Sequence, residues 1–196
     1  MVFFGLPLVL RLSGLPPSPL PFLIAGGALS AWLLMRDPLF ERRRLFDARG
    51  FFSRLRPVLI LLAIVSAATI LTVWLLAADY LFCFTGRYPW FWLLIVIAYP
   101  PLSVYPQELI YRAFLFHRYR RIFISARARI IASALAFSFG HAVLAGPLAA
   151  ALTLAAGGLL AWRYHKTASL LVVALEHSLY GIMVFTVGLE RFFYSL

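Results

Sequence analysis

Five side chains able to do chemistry interrupt the apolar runs of this chain. Glu108 and Arg112 stand in YPQELIYR, directly after LLIVIAYPPLSV. His141 stands in ALAFSFGHAVLAG, and Glu176 and His177 stand in LVVALEHSLYGIM. Ionisable groups inside membrane-length apolar segments are rare and costly, so each marks a candidate site. Glu108 and Arg112 are four residues apart, on one helix face and within reach of each other. As a bare pair they equally suit a structural ion pair at a membrane boundary, with the arginine reaching out to the headgroups. Two histidines at comparable depth on separate helices add a second chemistry. Neutral imidazole is the commonest protein metal ligand, and two His with one carboxylate would suit a catalytic zinc that keeps a position open for water. Phe137, one turn before His141, shares its face. Glu176 and His177 are adjacent and point about 100° apart on a helix, so Glu176 reads as a supporting or packing residue. His117 (in HRYRR) and His165 (in RYHK) lie among basic residues in cytoplasmic segments and read as non-catalytic.

The elements that must position these groups are membrane helices. The chain has 196 residues, 63% of them hydrophobic, and a mean hydropathy of +0.91, against about half apolar in a soluble domain. Its single cysteine, Cys83, excludes an internal disulfide and a thiolate metal cluster. The net charge of +11 comes almost wholly from arginine. These arginines fall between apolar runs and read as topology signals, with anionic lipid headgroups as their partners and no role in binding nucleic acid. Six stretches have spanning length or nearly so: about 19–35, 57–82, 90–110, 130–144, 147–162 and 168–189. The expected architecture is an all-α polytopic helix bundle forming one domain, without internal repeat.

The third stretch carries Pro100, Pro101 and Pro106. Proline removes a backbone donor and clashes with the preceding turn, so the expectation is a spanning helix, a kink or short break, and a second helix starting at Pro106. Glu108 then lies in a first turn, where the helix dipole favours a carboxylate. Fifteen of the eighteen basic residues fall in alternate connections: seven after the first stretch, six from Arg112 to Arg129, and Arg163 with Lys166. The positive-inside rule then puts these connections in the cytoplasm and both termini outside. Tyr88, Trp90, Phe91 and Trp92 read as an outer aromatic belt, and Asp79 as interfacial. The opening MVFFGLPLVLRLSG reads as an interfacial lead-in, lacking the pattern of a removable signal peptide.

Three motifs together resemble the CPBP family, the CAAX proteases and bacteriocin-processing enzymes, which are intramembrane endopeptidases. The family pattern is Glu-Glu-x-x-x-Arg, Phe-x-x-x-His and His-x-x-x-Asn on successive membrane helices. Here it reads Gln107-Glu108-Leu109-Ile110-Tyr111-Arg112, then Phe137-Ser138-Phe139-Gly140-His141, then His177-Ser178-Leu179-Tyr180-Gly181, within about residues 90–190. The resemblance implies peptide-bond hydrolysis in a cavity open to the cytoplasm. Glu108 would be the base, positioned by Arg112, while His141 and His177 bind Zn²⁺ or polarise the scissile carbonyl. A membrane-embedded or membrane-adjacent peptide would be the substrate.

Two positions depart from the pattern. Gln107 stands where the family has the Glu usually assigned to activating water, and Gly181 where it has Asn. An amide oxygen is not basic and cannot take a proton from water. Three outcomes follow. Glu108 acts as base while Gln107 orients the water; Glu176 contributes; or catalysis is lost and the cavity binds a membrane protein or lipid. A transporter or proton relay is a third class, but the chain lacks the paired halves many transporters show. Nothing in the sequence points to prenyl recognition.

Overall fold

The computed structural model describes residues 7–8, 12, 19–48 and 51–190. The N-terminal lead-in lies largely outside these residues, as do Arg11, Arg49 and Arg191. Six long helices and no strand are found among the described residues: α1 (Leu20–Arg36), α2 (Phe51–Ala77), α3 (Pro89–Arg118), α4 (Ala126–Ala145), α5 (Pro147–Thr167) and α6 (Leu170–Val187). Each coincides with one of the six expected stretches. By length and composition, three of them can cross a bilayer: α3, α6 and a span from Leu55 to Tyr80 that holds most of α2. The chain is an all-α membrane helix bundle. Its outward surface carries large apolar side chains, among them Ile64, Trp74 and Leu76 on α2, as a lipid-facing surface requires.

Local chemistry sets the helix ends. Ser125 and Ser169 cap α4 and α6, their hydroxyls accepting from the N–H of Ala128 and Val172. Pro89 and Pro147 open α3 and α5, where a missing N–H costs nothing. Between α4 and α5 the chain reverses at Gly146, whose φ of 91° favours glycine. The pair packs closely because a Cβ at Gly157 would lie 3.1 Å from Cδ1 of Phe137.

Helix α3 is irregular where a kink or short break is expected, but it does not take the form of two helices. It does not break at its prolines or restart at Pro106. It runs on through two π-helical stretches, Pro100–Val104 and Leu109–Phe114. The physical reason is that i→i+5 bonding lets the helix pass residues that lack a donor: the Tyr105 N–H bonds the Pro100 carbonyl. Glu108 therefore lies inside a continuous helix and not at a dipole terminus. Two residues counted as connecting-loop charges are also buried, Arg112 in α3 and Arg163 in α5. In the aromatic group, Trp90 is 82% exposed, but Trp92 turns inward, its indole N–H donating to the Thr186 hydroxyl at 3.1 Å.

Candidate active site

Glu108 and Arg112, on consecutive turns of α3, are both fully buried, and Arg112 Nε lies 3.1 Å from Glu108 Oε2. The contact is an ion pair without hydrogen-bond alignment, and the Arg112 nitrogens make no hydrogen bond. The guanidinium instead lies over the Phe137 ring, with Cζ 4.4 Å from its centroid. Such a cation–π contact strengthens when water is excluded. The arginine thus points inward and does not reach for the headgroups.

The other carboxylate oxygen of Glu108 crosses to α6. Oε1 lies 2.7 Å from Nδ1 of His177. His141 on α4 uses its own Nδ1 to reach the Phe137 carbonyl at 3.0 Å. A carbonyl only accepts, so the His141 proton sits on Nδ1 and Nε2 keeps its lone pair. Phe137 lies against both imidazoles, its ring centroid 4.6 Å from that of His141 and 5.4 Å from that of His177. The structure thus brings Glu108, Arg112, Phe137, His141 and His177 together from α3, α4 and α6, with Nδ1 of each imidazole engaged.

Gln107 is buried one residue from Glu108, and its amide donates to Ser103 Oγ at 2.9 Å, in the first π stretch. Glu176 does not join the cluster. It takes a two-point bond from Arg163 of α5, Nε to Oε2 at 2.7 Å and Nη2 to Oε1 at 2.9 Å. The offset of about 100° between adjacent helix positions turns it toward α5. At Gly181 a Cβ would collide with the Tyr99 ring, Cζ lying 2.6 Å away.

For the expected zinc, His141 and His177 each have Nδ1 engaged by a carbonyl or carboxylate, as metal-ligating imidazoles do. Glu108 is occupied by His177 and Arg112, and among the described residues no three His, Cys, Asp or Glu side chains group as metal ligands.

Three contributors escaped sequence reasoning. Gly27 lets α1 lie directly on α3, since a Cβ there would sit 2.7 Å from Cβ of Pro106. The small-residue run AGGALSA was its signal. The Tyr105 hydroxyl donates to the Leu45 carbonyl at 2.9 Å, tying α3 to the basic connection after α1. Tyr99 occupies the space over Gly181, and a glycine beside a candidate site, one turn past His177, was the available hint.

A family model for type II CAAX prenyl endopeptidase Rce1-like proteins matches residues 86–183, half of the chain. The chain belongs to that family. The matched region holds all five clustered residues, and it makes the protein an integral membrane member of a CAAX-protease-type intramembrane endopeptidase family. No curated protein and no solved structure matches the chain.

Proposed function

We propose that this protein is an intramembrane endopeptidase in which His141, and not Glu108, takes the proton from the attacking water. The observation that carries this reading is the paired use of Nδ1: His141 on the Phe137 carbonyl, His177 on Glu108. Each imidazole is fixed by one nitrogen and keeps Nε2 for substrate. Glu108, fully buried with both oxygens engaged, is poorly placed to meet water.

The chemistry closes on these groups. His141 Nε2 accepts a proton from water as the oxygen attacks the carbonyl carbon. His177, oriented by the contact of its Nδ1 with Glu108, donates its Nε2–H to the developing oxyanion. The oxyanion collapses, the C–N bond breaks, and the proton on His141 passes to the leaving amine. Arg112 holds Glu108 in place and offsets its buried charge. Gln107, anchored on Ser103, lines the site without titrating. The substrate is a membrane-embedded or membrane-adjacent peptide. The six helices cross the membrane with the basic connections in the cytoplasm, against anionic lipid.

A second reading is favoured by Gln107 and Gly181: a non-catalytic relative that uses the same cluster to bind a membrane protein or lipid. Mapping new peptide N-termini by mass spectrometry, in membranes expressing wild type or His141→Ala, separates the two. Termini present only with wild type support hydrolysis, and identical sets support the binding reading.

A further inference from the structure

We propose that the Tyr99 hydroxyl supplies, from α3, the polar group that position 181 of α6 lacks, and donates to the carbonyl oxygen of the bond being cut. The proposal rests on the hydrolytic reading above and adds a residue to it. Gly181 follows His177 by four residues, so a side chain there would stand on the same face, its Cβ about 5–6 Å from that of His177. In this protein that space is taken. A Cβ at 181 would overlap the Tyr99 ring carbons and the phenolic oxygen itself. The hydroxyl therefore sits where a side chain at 181 would begin.

Other contacts fix the ring in that place. Tyr99 stands edge-on to His177, with centroids 6.3 Å apart and planes at 87°. Phe185 backs it at 5.8 Å. The residue is partly exposed and immediately precedes the π stretch at Pro100, where the helix register shifts. Glycine at 181 is required for this arrangement, because any larger residue would displace the phenol from beside His177. A phenol has an O–H to give.

The test uses the full-length protein in proteoliposomes with a substrate found by terminus mapping. Tyr99→Phe keeps the ring and removes only the donor. Its kcat is expected to fall about 10²-fold with KM little changed, the loss typical of one oxyanion donor. Gly181→Asn alone is expected to disrupt the site by collision. Tyr99→Ala combined with Gly181→Asn, which brings an amide donor into the vacated space, should recover activity over Tyr99→Ala. If wild type cleaves and Tyr99→Phe cleaves equally well, the hydroxyl has no such role and the proposal is overturned while the hydrolytic reading stands. If wild type does not cleave, both fall together.

Discussion

Nδ1 of His177 lies 2.7 Å from Oε1 of Glu108, joining α6 to α3 inside the bundle. This bond gives the fully buried carboxylate a partner besides Arg112, and it orients an imidazole on a helix that has no other ionisable group at the site. The same bond makes Glu108 as much a structural residue as a chemical one. Replacing Glu108 with Ala would leave the Arg112 guanidinium buried and uncompensated, a loss of about 3–5 kcal/mol for a broken buried pair. Glu108→Ala is expected to lower the thermal midpoint in detergent strongly. Glu108→Ala with Arg112→Leu should recover much of the fold and none of the cleavage. Recovery of cleavage in the double variant would remove Glu108 from the mechanism.

Arg163 and Glu176 form the contrasting pair. Their two-point bond between α5 and α6 is buried but turned away from the imidazoles. Arg163→Ala should therefore destabilise by an amount of the same order as other broken buried pairs. Arg163→Met with Glu176→Leu should restore the midpoint, since apolar replacements of buried pairs are often neutral. Activity per folded molecule should match wild type. A fall in kcat at unchanged stability would show that Glu176 reaches the reaction after all.

Much of this was legible in the sequence. The positions of the six helices follow from hydropathy and length, and the motif spacing brings Glu108, Arg112, His141 and His177 together. What the sequence left hidden has a common physical cause. Proline within a helix reads as an interruption, yet two π stretches absorb Pro100, Pro101 and Pro106 without one. An arginine near a helix end reads as a topology charge, yet Arg163 finds Glu176 on another helix, and no local spacing encodes that meeting. The roles of Gly27 and Gly181 depend on what faces them, Pro106 and Tyr99, and a glycine carries no sign of its neighbour.

Gly27 gives a direct test of the α1–α3 contact. A methyl there meets both Cβ and Cα of Pro106, at 2.7 and 2.9 Å, so backbone must move. Gly27→Ala is expected to cost about 1–3 kcal/mol, as overpacking does. The displaced α3 should also lower cleavage, although residue 27 touches none of the reactive groups. An unchanged midpoint would mean that α1 and α3 are not held this closely.

At the end of α1, Asp37 lies 2.7 Å from Nε2 of His117, near the last residues of α3. The hydrogen bond to His117, followed by that from the Leu39 N–H, holds the Asp37 carboxyl below its ordinary 3.8. A depressed acid contributes stability that is present above its unfolded pKa and lost as pH falls through its folded one. The difference in thermal midpoint between wild type and Asp37→Asn should therefore be full at about pH 6 and vanish only in the acid range below the ordinary value. A difference already absent at about pH 6 would show that the pair does not hold these helix ends together.

The central claim is that hydrolysis survives Gln107 because His141 is the base. It is tested most directly by cleavage of one identified membrane peptide by purified wild type, His141→Ala and Gln107→Glu, compared in the same proteoliposomes. Wild type is expected to cleave, and His141→Ala to be slower by about 10²–10⁴-fold, the range for loss of a general base. Cleavage by Gln107→Glu alone, with wild type silent, would contradict the account and make this chain a member of its family that binds without cutting.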